Sequence, residues 1–462
     1  MSPNPCDSML DKSPSPARHT LMHTMRRLVG SALLCIAIPA LAATVKDRAG
    51  AVRDDKAAMQ GNARWIYNDV QKGFLEAKWR NKPILVVLRC VPCLSCAGID
   101  ATVLQEPGLA PLLDRFVCVR VINANALDLS LFQFDYDLSF STLFFNADGT
   151  VYGRYGSWKH QKDPRDKTFD GYKHALEAAL AIHADYPKNK AALAGKQGGP
   201  MPFKTPLEIP GLAGKYKTTL DWEGKVVGSC VHCHQIGDAI RTSLREQKKT
   251  IPGQWIYPQP APESVGLTLA PDAIARVTSV QDGSPAHRAG IAAGDDLVSV
   301  AGQPLISVAD MSWALHRAAD SGPLPIVVKR EGTVKALELT LPSGWRETAD
   351  ISRRVGTWTM RAMALGGLVL EDVPDEQRKQ SSLATDRMAL RVKFVGQYGI
   401  HAAAKRAGFQ KDDIIVEFAG KTDRLTESAA IGKLLRNHPK GERVSAEVLR
   451  GTERVRLTLP MQ

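Results

Sequence analysis

The feature that most narrows the fold is an internal repeat. HRAGIAAGDDLVSVAG at residues 287–302 matches KRAGFQKDDIIVEFAG at 405–420 without a gap. The copies start about 120 residues apart, a period that predicts two copies of one module. Each copy has a glycine-bearing strand upstream, VGLTL or GGLVL. Each has an amphipathic helix downstream, VADMSWALHRAA or ESAAIGKLLRN. Each closes on a hairpin, IVVKREGTVKALELTL or SAEVLRGTERVRLTL. The modules are therefore mainly β and occupy 261–346 and 366–462, with a linker at 347–365. A chain of 462 residues exceeds one ordinary core, so three or four domains are expected.

The other end of the chain carries an address. MRRLVGSALLCIAIPALAATV, from Met25, joins two arginines to an apolar run and then Ala40-Leu41-Ala42. That is the pattern of a secretory signal with an A-x-A cleavage site, predicting a mature chain from Ala43. The apolar run is short for a membrane span. Leu34 stands before Cys35 where a lipoprotein signal wants a small residue, so no lipid anchor is expected. Residues 1–42 thus form an N-terminal extension plus signal, with Met22 or Met25 as alternative starts. A periplasmic or otherwise exported, soluble protein follows. The formal net charge is +12, but the basic residues are scattered among acids with no basic block, so no nucleic-acid partner is expected. No nucleotide cofactor is expected either.

Export gives the remaining six cysteines their meaning: thiols there serve as disulfides, redox couples or ligand holders. Residues 43–187 alternate strands (KPILVVL, FVCVRVIN, STLFFN, TVYGRYG) with helical spacing in TFDGYKHALEAALAIHADY, an α/β pattern. Directly after the first of these strands come Cys90, Cys93 and Cys96, two CxxC motifs sharing the middle thiol. Residues 188–260 are Pro/Gly-rich with little regular pattern, around Cys230-Val231-His232-Cys233-His234. C-x-x-C-H is the attachment pattern of c-type haem: two thiols bond the vinyl groups and the next histidine ligates iron. Haem c on Cys230, Cys233 and His234 is the expected cofactor. Met201, His174 and His183 are upstream candidates for a distal ligand, and a disulfide or zinc site is the alternative. Cys118, within a strand, reads as a buried side chain.

These motifs carry two resemblances. GSPAHRAGIAAGDDLVSVAGQPL resembles a PDZ domain of bacterial type, and the second repeat keeps Arg-Ala-Gly, the Asp and Ala-Gly of that pattern. The resemblance implies capture of a protein or peptide chain end at a strand edge beside a helix. Gly266, Leu267, Met311 and Leu315, and Gly367, Leu368, Ile431 and Leu434, would line the two grooves; the apolar ones read equally well as core. A strand entering CxxC resembles a thioredoxin-like fold. Counted from Ile84, the family's reactive pair falls on Cys93 as nucleophile and Cys96 as resolving thiol, with Cys90 and Cys93 as runner-up. Ser141 stands before Thr142 where thioredoxins carry a cis-proline.

The whole arrangement is similar to a group of exported bacterial thioredoxin-like/PDZ proteins, some with selenocysteine in the dithiol region. The fold class is thus multidomain: a thioredoxin-like α/β domain, a short CxxCH segment and two bacterial-type PDZ domains. The function expected from this is thiol-redox and electron transfer with a redox partner protein recruited by the PDZ modules. The alternatives are a non-enzymatic PDZ adaptor with structural cysteines, or metal handling by Cys90, Cys93 and Cys96. No Ser stands in a nucleophile context with His and Asp partners, so the enzyme expectation is a possible thiol-disulfide oxidoreductase without a protease site.

Overall fold

The computed structural model describes residues 47–91, 106–138, 140–156 and 169–462. The first layer is a five-stranded sheet. Its strands are β1 (Trp65–Tyr67), β2 (Ile84–Arg89), β3 (Val117–Val121), β4 (Phe140–Phe145) and β5 (Val151–Tyr155). They lie in the order β1-β3-β2-β4-β5. β1 and β2 run parallel to β3, while β4 and β5 are antiparallel additions. β2 is buried along its whole length, as a continuous apolar run with both faces covered demands. Its alternate side chains separate two cores. Leu85 and Val87 pack with Phe144, Tyr152, Tyr172 and Leu176, beneath a helix at Phe169–Ala184. Ile84, Val86 and Leu88 pack on the opposite face.

That opposite face explains residues 188–260. Helix α1 (Arg48–Met59) and helix α2 (Val70–Arg80) flank the sheet, and the helix at Phe169–Ala184 becomes α3. The CxxCH stretch then forms α4 (Cys233–Glu246), with His232 as its N-cap residue. Ile236, Ala239 and Ile240 join the core of Ile84 and Val86, together with Ile209 and Leu212. The segment is a covering layer of the sheet, with a 14-residue helix in a stretch whose sequence shows little regular pattern. The apolar spacing at 236, 239 and 240 was present but short, hemmed in by Pro and Gly.

The two repeats fold alike. The first contains β6 (Leu267–Leu269), β7 (Val277–Val280), β8 (Asp296–Val300), β9 (Gln303–Pro304), α5 (Val308–Arg317), β10 (Gly322–Arg330) and β11 (Thr333–Leu341). The second is preceded by α6 (Thr357–Leu365). It contains β12 (Leu368–Asp372), β13 (Leu390–Val395), β14 (Ile414–Phe418), α7 (Glu427–Asn437), β15 (Arg443–Arg450) and β16 (Glu453–Pro460). The repeated Asp has the same task in both. Asp295 holds Arg330, whose guanidinium also donates to the Gly290 carbonyl. Asp413 holds Arg450, which donates to the Gly408 carbonyl. Each Asp also caps its own turn, accepting from Ala292 N–H or Gln410 N–H at 2.9 Å. Gly290 and Gly408 have φ of +77° and +96°, so glycine at these positions is a backbone requirement.

The first repeat is tied through α5 to the five-stranded sheet and to the segment that follows it. Lys196 and Asp310 form an ion pair at 2.7 Å, both out of solvent. The Arg154 guanidinium lies 3.5 Å from the centre of the Trp313 ring. Trp313 Nε1 donates to the Gly195 carbonyl, and Ser307 donates to the Arg154 carbonyl.

Candidate functional site

Gly266 has φ +87°, and a Cβ there would fall 2.1 Å from the Ser284 Cβ. Gly367 has φ +91°, and a Cβ there would fall 2.0 Å from the His401 carbonyl oxygen. Both loops require glycine because backbone and side chain crowd them on the outside of the turn. Their own N–H groups are used locally: Gly266 donates to Glu263 and Gly367 to the Arg361 carbonyl, each at 3.0 Å.

The strand after each loop is an edge. β6 pairs with β7 alone, in a two-stranded sheet. β12 is the first strand of an antiparallel five-stranded sheet, β12-β13-β14-β15-β16. Edges of this kind present unpaired backbone groups that an extended chain can take up. The helices lie across the same cores. Leu267, Met311 and Leu315 share one buried cluster, and Leu368, Ile431 and Leu434 share the other. The predicted groove residues of each repeat are thus brought together, with these side chains buried in the module core.

The cysteine motifs are also brought together, across 142 residues. Cys90 Sγ lies 3.3 Å from His232 Nδ1. Cys93 and Cys96 lie outside the described residues. Cys230 donates to the Ile122 carbonyl at 3.4 Å and packs beside Val52, Ile122 and Val226. Cys233 packs instead against the sheet core. Burial pushes the Cys230 thiol up to about 11 and the Cys233 thiol up to about 12. Burial, with neighbouring His234, holds His232 down at about 4. Cys118, as expected of a buried strand residue, donates to Leu113. Ser141 and Thr142 continue β4 as ordinary strand, paired with Leu88 and Val87.

This chemistry does not fit a haem. Thioether attachment needs both thiols to face one porphyrin slot, and here they enter different apolar clusters. Two proposed distal ligands are engaged elsewhere: His183 with the Tyr152 hydroxyl and His174 with the Asp272 carbonyl, both at 2.9 Å. Among the described residues, no group of three or more His, Cys, Asp or Glu is placed to hold a metal ion. Half-buried thiols whose pKa is pushed up are poor nucleophiles as well.

Comparison with known proteins agrees on the parts. The family model described as thioredoxin-like matches residues 65–147, and a PDZ domain model matches 276–330. The chain therefore carries a thioredoxin-like domain and a PDZ domain. Among curated proteins it is similar to a probable periplasmic serine endoprotease DegP-like from Pseudomonas fluorescens, 27% identical over 41% of this chain and 37% of that one. The DegP-like protein of Pseudomonas savastanoi is 28% identical over 41% and 37%. The periplasmic pH-dependent serine endoprotease DegQ of Escherichia coli is 26% identical over 40% and 35%. The chain thus spans little more than a third of the length of these relatives. The solved HtrA-type protease AlgW with decapeptide aligns over 28% of this chain and 38% of its own, at 17% identity and a TM-score of 0.19.

Three expectations are corrected by these relatives. These relatives are serine endoproteases, which overturns the thiol-redox and electron-transfer function built on Cys90, Cys93 and Cys96. It likewise overturns the expectation of an oxidoreductase without a protease site. Haem c on Cys230, Cys233 and His234 falls with it, for nothing in these relatives calls for haem and the two half-buried thiols pack against different apolar clusters. For Cys230 and Cys233 the physical reason is that CxxCH spacing describes chain neighbours, while the surroundings of each thiol decide its chemistry.

Proposed function

We propose that this chain handles polypeptides in the periplasm in the service of endoproteolysis, capturing chain ends through two PDZ modules at 261–346 and 366–462. Export after cleavage near Ala42 is part of the same reading. The observation that carries it is the repeated unit of positive-φ glycine, edge strand and buried helix at Gly266, β6 and α5, and again at Gly367, β12 and α7. The likeness to periplasmic serine endoproteases supports the same process. The thioredoxin-like domain at 43–187 and the covering segment at 188–260 serve in this reading as the platform that fixes α5.

The test is binding of fluorescein-labelled decapeptides with free carboxyl ends to the mature chain, measured by anisotropy against their C-terminal amides. Saturable binding that amidation weakens at least about tenfold is expected, since a buried carboxylate loses charge-assisted hydrogen bonds. Equal binding of acid and amide would overturn chain-end capture. β-Casein cleavage and fluorophosphonate labelling in the same preparation read the hydrolysis. Cleavage with labelling assigns it to this chain.

A further inference from the structure

The two repeats differ at one position that matters for access to the strand edge. In the first, Ser307 caps α5 and the first helical residue is Val308. In the second, Thr426 caps α7 and the first helical residue is Glu427. The Glu427 side chain is buried and turns back onto the edge strand. Its Oε1 accepts from Leu370 N–H of β12 at 2.8 Å. Arg361 of α6 clamps the same carboxylate, Nε to Oε1 at 2.9 Å and Nη2 to Oε2 at 2.5 Å. Arg361 is itself anchored on the Ser352 carbonyl.

The apolar residues between strand and helix are buried in both repeats, so the carboxylate and the helix that holds it are what set the second apart. Met360, Met363, Ala364 and Leu365 of α6 lie in one buried cluster with Leu368 and Leu370 of β12 and Ile431 and Leu434 of α7. In the first repeat the corresponding position before the glycine is a short turn at Pro262–Val265, with no such helix. Val308 has no acceptor to offer. Among the described residues, no side-chain acceptor meets the N–H groups of Leu267, Thr268 or Leu269.

We infer that the second module is occupied by its own chain: Glu427, held by Arg361, takes the place on β12 that a captured chain end would take, and the first module alone receives polypeptide. The inference rests on the reading of both repeats as chain-end binders. A ligand adding to β12 at Leu370 must displace a carboxylate that carries one backbone and two guanidinium hydrogen bonds. Displacing it strands the buried Arg361, so the module stays shut to a peptide that offers no replacement charge.

The experiment uses the mature chain and three fluorescein-labelled decapeptides ending in free Val, Leu or Phe. Stoichiometry is read by titration, and hydrogen exchange is followed at 267–269 and 368–372. The expected result is one peptide equivalent, with slowed exchange at 267–269 and none at 368–372. The variant Arg361→Ala/Glu427→Ala removes both charges together. It should accept a second equivalent, and in the free chain exchange at Leu370 should quicken at least about tenfold for the lost charged acceptor. Two equivalents on the unaltered chain, or peptide protection at 368–372 there, would overturn the inference while leaving chain-end capture standing. If no peptide binds either protein, chain-end capture falls. Exchange at Leu370 then decides alone: equal rates in both proteins overturn the self-occupied edge. Arg361→Met/Glu427→Leu, which keeps the side-chain volumes and also removes both charges and the acceptor, carries the same readouts should the alanine variant lose its circular dichroism signal.

Discussion

Lys196→Met is the sharpest probe of how the segment following the thioredoxin-like domain holds the first repeat. The Lys196 side chain has 0% and that of Asp310 2% of its surface exposed, and their charged atoms are 2.7 Å apart. Burial pulls the lysine below its usual range, with Asp310 opposing the shift. Asp310 also accepts from Arg154 N–H and Ile306 N–H, each at 3.0 Å. Removing one partner of a buried pair costs about 3–5 kcal/mol, because the other charge is left without compensation. Two backbone donors remain on Asp310, so the lower end, about 3 kcal/mol, is expected. The assay is urea unfolding of the mature chain, followed by circular dichroism and by hydrogen exchange across α5. Lys196→Met/Asp310→Asn buries no charge, and its single side-chain oxygen serves only one of the two backbone donors, which reach Oδ1 and Oδ2 separately, so it should recover part of the loss. A loss below about 0.5 kcal/mol, or no recovery in the double variant, would refute the reasoning. Because α5 carries Met311 and Leu315 beneath β6, the single variant should also weaken peptide capture at the first module.

Three further outcomes follow from the same geometry. Gly266→Ala should lower peptide affinity at least about tenfold, since its Cβ would collide with Ser284 at a positive φ; unchanged anisotropy titrations would contradict this. His232 titrates at about 4 in the fold against 6.5 as its ordinary value, so the unfolded chain takes up the proton first as pH falls. Stability should drop between pH 6.5 and about 4 by about 3 kcal/mol from this residue, and less in His232→Gln; urea midpoints across that range check it. Cys230 and Cys233 should label with a disulfide reagent at pH 8 at least about a hundredfold more slowly than a free thiol, rising to the free rate in urea. Mass mapping that finds either modified quickly in the native chain would contradict their burial.

Much of the framework was legible. KPILVVL became β2, and VADMSWALHRAA and ESAAIGKLLRN became α5 and α7, because strand and helix periods repeat along the chain. The glycines at 266 and 367 were found for the same kind of reason: they stand at a fixed offset before an apolar strand. Helix α4 was missed because its apolar face is short and completed by the sheet beneath it. The roles of Lys196, Arg154 and Arg361 carried no local signal. Each is a single basic residue whose partner lies far along the chain, as Lys196 and Asp310 are 114 residues apart.

The cysteines mark the boundary between the two kinds of information. Sequence alone determined the repeat, the alternation of strand and helix, and the spacing of both cysteine motifs, because each is a property of near neighbours. Only the tertiary structure decided that Cys230 and Cys233 enter separate apolar clusters and that His232 meets Cys90. It likewise decided that Glu427 closes one edge strand while Val308 leaves the other without an acceptor. Protonation, access and pairing depend on what the rest of the chain brings within a few ångströms, and spacing along the sequence does not encode that.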